Sequence, residues 1–383
     1  MLNRRAMLKR IAKVLVGVTG AVLVWRTRVL QVTTFALAAR FRQLSKRPRR
    51  ASLFKNLRES HGEQQPAQTD TLNQHCLITY HPEYQDFDPD LAFQCLRAAA
   101  SVGFGWVRTD VHWDQVIPDG RKANVEALGW YRSFLAASRN LGIRNMVVLS
   151  NPSELVASQS TSERLRCWKT YIETVTQEMG SLCDAFQLMN EPNNPVYRFF
   201  EAEDAAKALS EGAAIIHHAL PKAQVAINVS MEFWGWKEYL STLLKRCGPA
   251  IDIVGLDHYP GTWTIGPSMD RWADVVEVAK EIANASPDSE WHGRSFAIME
   301  TGYSTNTLCR DRHQQSAYFA QLTVIANTLK QISLTNGLLL GIYELCDADS
   351  SAWLDPEPHF GLLTSELLPK TAAGTVSHLI ASF

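Results

Sequence analysis

Two glutamates lie at the ends of apolar runs, and their placement carries the strongest chemical signal in this sequence of 383 residues. Glu191 follows the run Phe186–Met189, and Glu300 closes the run Phe296–Met299. A short apolar run that ends in polar, Pro- or Gly-containing sequence is typical of a buried parallel strand, and parallel barrels carry their chemistry at the C-terminal strand ends. We therefore expect both carboxyl groups at one rim, where one can donate a proton and the other can act as an anion.

The segment Asn190-Glu191-Pro192 resembles the Asn-Glu-Pro acid/base motif of the clan of retaining (β/α)8 glycoside hydrolases that contains cellulases, β-mannanases and β-xylosidases. Glu300 matches the nucleophile of that clan. The separation of 109 residues agrees with this, because strands 4 and 7 lie roughly 94 residues apart in a barrel of about 250 residues. The resemblance implies cleavage of O-glycosidic bonds of a β-linked glycan by double displacement, with Glu191 as acid and then base.

The resemblance also assigns roles to residues near the two glutamates. Arg108 stands where clan members often carry an arginine that hydrogen-bonds the nucleophile, and a structural ion pair is the alternative. Asn190 is expected to bind the sugar 2-hydroxyl. His258 and Tyr259 resemble the clan's His and Tyr pair, of which one should contact the nucleophile or the sugar, and Tyr259 is the preferred partner of Glu300.

Tryptophans supply a second signal, because sugar rings stack on indole faces. Several of the 11 tryptophans follow predicted strand ends, among them Trp113, Trp234 and Trp236. Packing of loops against the barrel is the competing interpretation for about half of them. Trp263 and Trp353 are the predicted substrate contacts.

The resemblance extends to the segment Gly341–Ala372, which is similar to the clan's final strand and to the His-Phe-Gly-Leu-Leu and Pro-Lys sequences that follow it. Two positions depart from the pattern of many cellulase-like members. Tyr343-Glu344 stands where they often have a tryptophan, and Ser150-Asn151 ends strand 3 without their histidine. Families 39 and 5 are therefore equally compatible with the sequence.

The alternation of apolar runs with helical signals predicts an α/β fold, a (β/α)8 TIM barrel that forms a single catalytic domain over residues 75–383. Asp88-Pro89 is a helix start, Gly103 is a helix stop, and Ser160–Glu163 fits a capping box. Alternation alone would also fit a doubly wound sheet, and the glutamate motifs favour the barrel. The predicted strands are Leu77–Tyr80, Trp106–Asp110, Asn145–Leu149, Ala185–Met189, Val225–Asn228, Asp252–Leu256, Phe296–Met299 and Leu338–Glu344, with further helices at Glu201–Leu220 and Asp311–Ile332.

Charge is unevenly distributed along the chain. The first 58 residues contain 15 Lys or Arg and no acidic residue, whereas the remainder contains 23 basic and 39 acidic residues, which argues against nucleic acid as a partner. Asn3–Lys9 resembles a twin-arginine export signal and precedes an apolar stretch. We expect an export signal or membrane anchor at 1–39 and a basic, then polar linker at 40–74. The protein is then exported to the periplasm or the cell exterior, or held at a membrane through residues 1–50.

Seven cysteines show neither a CxxC pair nor a metal-like spacing, so most of them are expected to be buried core residues. The sequence has no phosphate-binding glycine loop, nucleotide fingerprint or His-Glu-x-x-His motif. Neither a metal nor a cofactor is therefore expected, and the expected partner is an oligo- or polysaccharide.

Two other functions fit the same residues. A transglycosylase would pass the covalent intermediate to another sugar, and the sequence does not separate it from a hydrolase. A catalytically silent glycan-binding or assembly protein is the second alternative, against which both glutamates, Arg108 and Tyr259 argue by their motif context. The sugar, the linkage and the choice between exo and endo cleavage stay open.

Overall fold

Eight apolar runs form eight parallel strands that close into a barrel in sequence order. The computed structural model describes residues 72–260, 262, 271–306, 312–332, 337–348 and 355–383. The predicted (β/α)8 barrel is confirmed, and each predicted strand overlaps an observed one. The strands are β1 (Asn73–Thr79), β2 (Phe104–Asp110), β3 (Arg144–Leu149), β4 (Ala185–Leu188), β5 (Gln224–Ser230), β6 (Ile253–Asp257), β7 (Ser295–Glu300) and β8 (Leu338–Ile342).

A helix follows each strand and covers the barrel from outside. The Asp88 carboxylate caps the first helix by accepting from two backbone amides, and Gly103 ends that helix with a φ of 108°. Ser160 caps the third helix by accepting from the amide of Glu163, as predicted. The barrel helices are α1 (Pro89–Val102), α2 (Val125–Asn140), α3 (Thr161–Met179), α4 (Ala202–Ala219), α5 (Trp236–Cys247), α6 (Trp272–Ala283), α7 (Arg312–Ile332) and α8 (Thr371–Ser382), and single turns lie at Trp113–Val116 and Glu154–Ala157.

Apolar side chains fill the lower part of the barrel interior, towards the N-terminal ends of the strands. These residues form a separate buried cluster inside the ring of strands, and we call them the floor. Small and large side chains from different strands fill the space together, as expected for a packed barrel core. The floor consists of Leu77, Trp106, Met146, Ala185, Ala226, Ile253, Ala297 and Met299.

Polar side chains replace apolar ones one step further along the same strands. Successive side chains of a strand alternate between two faces, so the residue two positions after a floor residue faces the interior again. Thr79, Arg108, Gln187 and Asn228 stand at such positions, and with Asp257 of β6 they form what we call the polar layer. All five residues are buried. The sequence therefore builds a polar surface into the upper interior of an otherwise apolar barrel.

An irregularity between β6 and β7 turns a carboxylate inward. Leu256 pairs with Ile298 but Asp257 pairs with Glu300, so Met299 is an extra residue on β7. Met299 belongs to the floor, and strict alternation would therefore place Glu300 on the outer face of the barrel. The bulge allows the side chains of Met299 and Glu300 to share the interior.

A larger apolar core fills the space between the strands and the helices. Six cysteines are buried there as free thiols, as predicted, and Cys309 lies outside the described residues. Among the helices that the structure describes, none is long and apolar enough to span a bilayer. Residues 1–71 are outside the described part of the chain, so the segments 1–39 and 40–74 stay predictions.

Gly341 of β8 tests how tightly β7 and β8 pack. A Cβ atom there would lie 2.1 Å from the backbone oxygen of Met299, which cannot move without disturbing the strand pairing. We expect Gly341→Ala to lower the free energy of unfolding by about 3 kcal/mol in chemical denaturation. Gly374→Ala is the control, because Gly374 is an exposed position of α8 with open space around it, and it should gain about 0.5–1 kcal/mol. Equal stability of the two variants would contradict the packing.

Candidate active site

Arg108 of β2 is buried and binds the groups around it through three nitrogens. Its Nη1 lies 2.6 Å from Oε1 of Glu300 and donates to Oγ1 of Thr79 at 3.4 Å. Its Nε donates to Oε1 of Gln187 at 2.8 Å, and its Nη2 donates to Oδ1 of Asn190 at 3.0 Å. The structure thus brings Arg108 and Glu300 together, and neutral acceptors on three sides fix the guanidinium plane.

Both carboxylate oxygens of Glu300 accept hydrogen bonds. Arg108 contacts Oε1, and the hydroxyl of Tyr259 donates to Oε2. Burial, and then the neighbouring carboxylates, raise the pKa of Tyr259 well above its usual range, so its hydroxyl keeps the proton that it donates. The Tyr259 amide donates to Oε1 of Glu232 at 3.1 Å, which holds the loop after β6. Two donors of different kinds therefore define the position of the Glu300 carboxylate.

Glu191, in the turn after β4, has different surroundings. Its backbone is in the left-handed region with a φ of 42°, and its amide donates to Oδ1 of Asn228 at 2.9 Å. Oε2 of Glu191 accepts from Nδ2 of Asn194 at 2.6 Å. Burial first, and then the carboxylate of Glu300, raise the pKa of Glu191 to about 7. Glu191 can therefore hold a proton near neutral pH and donate it.

Contacts with the following βα unit hold the turn that carries Glu191. Asn193 exchanges two hydrogen bonds with the backbone of Ser230, at 2.8 and 3.0 Å, and Tyr239 of α5 donates to the carbonyl of Pro192 at 3.1 Å. A non-glycine residue in the left-handed region costs about 1–3 kcal/mol, and contacts of this kind offset it. The direction of the Glu191 side chain is thus set by β5 and α5 as well as by β4.

Asn190, the residue expected to contact the sugar, is oriented by the polar layer. Its Oδ1 accepts from Nη2 of Arg108, from Nε2 of Gln187 at 3.2 Å and from Nδ2 of Asn228 at 2.9 Å. Because three donors surround one atom of the amide group, that atom must be the oxygen, and the orientation of the amide is determined. The Nδ2 protons of Asn190 therefore point away from Arg108, and Asn190 itself is only partly buried.

The structure does not bring His258, an expected substrate contact, together with Glu191 and Glu300. Its ring is fully buried against Trp272 of α6, and its Nδ1 lies 3.0 Å from Oε1 of Glu232. Strand alternation gives the reason, because Asp257 and Tyr259 face the interior and the residue between them faces the helices. The His-Tyr motif is prominent in the sequence, whereas the signal for Asp257 is weaker and consists of one polar residue at an inward position of an apolar strand.

The tryptophans divide into packing residues and rim residues. Trp263 and Trp353, the predicted substrate contacts, lie outside the described residues. Trp113 is fully buried and stacks on Tyr171 with ring centroids 5.1 Å apart, so it packs the loop after β2. Trp234 is 87% exposed in the loop after β5, where an indole face is suited to stacking on a sugar ring.

A second group of titratable residues, which we call the rim group, lies at the ends of β1, β2 and β8 and was missed by sequence analysis. Nδ1 of His81 lies 3.3 Å from Oδ2 of Asp110, and Nε2 of His112 lies 2.9 Å from Oε1 of Glu83. Burial alone would lower the pKa of His81, but Glu83, Glu344 and Asp110 raise it to about 10. The rim group, His81, Glu83, Asp110, His112 and Glu344, is not arranged to hold a metal ion, and neither is any other cluster of these residue types in the described part of the chain.

Solved structures with the same architecture are glycoside hydrolases. A family 39 glycoside hydrolase from the gut symbiont Bacteroides cellulosilyticus has a TM-score of 0.63 and 19% identity over 83% of this chain and 65% of its own. A family 5 enzyme from Bifidobacterium longum, solved with Manβ1-4GlcNAc, has a TM-score of 0.63 and 13% identity over 81% of this chain and 78% of its own. This chain shares the (β/α)8 barrel fold of these structures.

The shared fold agrees with the fold that the sequence resemblance implies, and the two families that it names, 5 and 39, are both among these structures. An exo-β-1,4-mannosidase from an Opitutaceae bacterium is also similar, with a TM-score of 0.61 and 14% identity over 83% of this chain and 62% of its own. This chain thus spans less than two thirds of the length of the family 39 structure and of the mannosidase. No protein-family model matches the chain, and no curated protein matches its sequence.

The surroundings of Glu191 predict that its carboxyl group titrates at a higher pH than an ordinary glutamate. In a carbon-detected NMR titration of the side-chain carboxyls, Glu191 should titrate near pH 7, and its pKa should fall in Glu300→Gln because a neighbouring negative charge is removed. Glu173→Gln is the control, since Glu173 is exposed on α3, and it should leave the Glu191 titration unchanged. A Glu191 titration in the ordinary range of glutamates, about 4.3, would refute the description.

Proposed function

We propose that the protein is a retaining glycoside hydrolase that cleaves O-glycosidic bonds of a β-linked glycan, with Glu191 as acid/base and Glu300 as nucleophile. The observation that carries the proposal is the unequal setting of two buried carboxyl groups at one rim of the barrel. Glu300 has two donors on its oxygens, which favours an anion, and the raised pKa of Glu191 favours the acid. Glycoside hydrolysis with retention requires one carboxyl group in each of these states.

In the first step, Glu300 forms a bond to the anomeric carbon while Glu191 transfers its proton to the departing glycosidic oxygen. The positive charge that develops on the sugar lies beside the Glu300 carboxylate. Arg108 and Tyr259 hold that carboxylate in place, so little reorganisation is needed when it attacks. Asn190, whose amide is fixed by three donors, presents Nδ2 to the sugar 2-hydroxyl.

In the second step, water replaces the departed group and attacks the same carbon. Glu191, now a carboxylate, removes a proton from that water and returns to its starting state, while the bond to Glu300 breaks. Two inversions at one carbon leave the product with the configuration of the substrate. A sugar hydroxyl in place of the water would give transglycosylation by the same residues.

The proposed substrates are β-glycosides, and the similar structures indicate which sugars to test. The family 5 structure is a complex with Manβ1-4GlcNAc and another neighbour is an exo-β-1,4-mannosidase, so β-mannosides join β-glucosides, β-xylosides and β-cellobiosides as probes. Trp234 at the rim and the rim group supply an apolar face and hydrogen-bonding groups around the carboxylates. An export signal or anchor at the N-terminus, as the sequence predicts, would place an envelope or extracellular polysaccharide within reach.

Azide distinguishes the roles of the two glutamates. With an aryl β-glycoside that carries a good leaving group, Glu300→Gly should lose turnover and regain it with azide, giving the α-glycosyl azide because a single inversion occurs. Glu191→Ala should form the glycosyl intermediate and pass it to azide, giving the β-glycosyl azide with retention. Product configuration is measured by proton NMR.

Glu173→Gln is the matched control for both glutamate variants, because it removes an exposed carboxylate of α3 and should keep wild-type turnover without azide. Identical products from Glu300→Gly and Glu191→Ala would exclude the assigned roles. Binding of oligosaccharides without turnover in the wild type, unchanged in either variant, would favour a silent glycan-binding protein.

The raised pKa of Glu191 sets the alkaline side of the pH profile. The acid must carry its proton to act, so kcat/KM should fall as the pH rises through about 7. For an aryl glycoside whose leaving group needs no proton, Glu191→Gln should abolish this alkaline fall in the glycosylation step. For an alkyl glycoside, the same variant should lose about 10²–10⁴-fold in rate. An alkaline limb that stays at the same pH in Glu191→Gln would assign it to another group.

A further inference from the structure

Asp257 is a third buried carboxyl group in the pocket, and the two-glutamate mechanism gives it no role. It has no exposed surface, and it belongs to the polar layer. Its Oδ2 accepts a hydrogen bond from Nδ2 of Asn228, whereas no donor in the described part of the chain reaches Oδ1. An ionised carboxylate in such a position would carry a buried charge with one oxygen unsatisfied, which is costly.

The charged and titratable groups around Asp257 come from every side of the barrel. Arg108 faces it from β2, Glu191 from the turn after β4, Glu300 from β7 and Tyr259 from the loop after β6. Arg108 is the cation of this set, and it already forms an ion pair with Glu300. A second carboxylate beside that pair would therefore leave this buried cluster with excess negative charge.

Shared partners indicate where the extra proton sits. Asn228 joins Asp257 and Glu191, because its Nδ2 donates to Oδ2 of Asp257 and its Oδ1 accepts from the Glu191 amide. Oε2 of Glu191 already accepts from Asn194, and Oδ2 of Asp257 accepts from Asn228, so Oδ1 of Asp257 is the oxygen left to carry a proton. Burial first, and then the carboxylates of Glu300 and Glu191, raise the pKa of Asp257 well above its usual range, and Arg108 opposes them.

We propose that Asp257 is held as a neutral carboxylic acid and donates a hydrogen bond to Glu191, so that it positions Glu191 and stabilises the carboxylate that Glu191 becomes. The inference rests on the proposed function for its catalytic meaning, although the protonation state of Asp257 stands apart from it. Asp257 acts through Glu191 and does not touch the reacting atoms, so it is a positioning residue.

The proton balance of the reaction is unchanged by this role. Glu191 transfers its own proton to the glycosidic oxygen, and the Asp257 hydroxyl then donates to the new carboxylate of Glu191 without leaving Asp257. Water returns one proton to Glu191 in the second step. A donor that is neutral throughout strengthens the acid in the first step without adding a negative charge beside Glu300.

Infrared spectroscopy of the full chain in D₂O tests the protonation state without any substrate. At pH about 6, ordinary carboxyl groups are ionised and show no acid carbonyl band. The difference spectrum between wild type and Asp257→Asn should contain one protonated-carboxyl band, and Glu191→Gln should remove another. Glu344 is also buried with a raised pKa, and its band should be common to these proteins and cancel. Absence of a band in the Asp257→Asn difference overturns the proposal.

Two substitutions then test the link to Glu191 through the pH dependence of kcat/KM. In Asp257→Asn, the amide still accepts from Asn228 and donates to Glu191, so the alkaline limb should move by less than about half a pH unit, with a reduced rate. In Asp257→Ala the donor is lost, so the limb should move to higher pH, and alkyl glycosides should slow more than activated aryl glycosides. Thermal melting of both variants verifies that they fold.

The outcomes separate the positioning role from the proposed function. If Asp257 is ionised in the wild type, Asp257→Asn removes a negative charge beside Glu191. The alkaline limb of kcat/KM of this variant should then move to lower pH by about one unit or more, and that result refutes the proposal. If the alkaline limb of kcat/KM lies at the same pH in the wild type and in Asp257→Ala, the hydrogen bond from Asp257 to Glu191 is refuted. If the wild type turns over no glycoside while the infrared band is present, the proposed function fails and the neutral Asp257 stands.

Discussion

The buried guanidinium of Arg108 is the constraint on which the pocket depends. A charge that has left water must be matched by an opposite charge and by acceptors for each of its N–H groups, or the barrel interior could not hold it. Glu300 supplies the charge, while Gln187 and Asn190 supply acceptors. Because Glu300 already pairs with this positive charge, the carboxyl groups of Glu191 and Asp257 meet an environment that raises their pKa values.

The hydrogen bonds of the polar layer hold these charged groups in fixed positions. Gln187 and Asn228 each bind partners on two sides, so that side chains of β2, β4, β5 and β6 are connected by continuous hydrogen bonds. Amide groups suit this task, because each offers both donors and acceptors and carries no charge that would disturb neighbouring titrations. The same network holds the Glu191 backbone through Asn228, so the two halves of the site cannot shift independently.

Local signals made the barrel predictable, and non-local contacts limited the prediction of the site. Apolar runs, the Asp88 cap and the Gly103 stop depend on neighbours in sequence, and they appear as expected. Gln187 and Asn228 look like isolated polar residues in apolar runs, and only closure of the barrel shows that they face Arg108. The sequence pattern predicts His258 as a site residue and gives no role to Asp257, because motif resemblance does not tell which residue of a strand points inward. A register change such as the one beside Met299 has no sequence signature at all.

The extra residue at Met299 has a consequence for any attempt to idealise this protein. Regular strands with matched registers are the usual route to stable designed barrels. A regular β7 that keeps all its residues and pairs Met299 with Asp257 would turn the Glu300 side chain towards the helices, by the two-fold alternation of strands. The product would be a well-formed barrel without the Glu300 carboxylate in its interior. In this molecule, therefore, the inward direction of that carboxylate depends on a local irregularity of the scaffold, and a perfectly regular barrel of the same sequence would lose it.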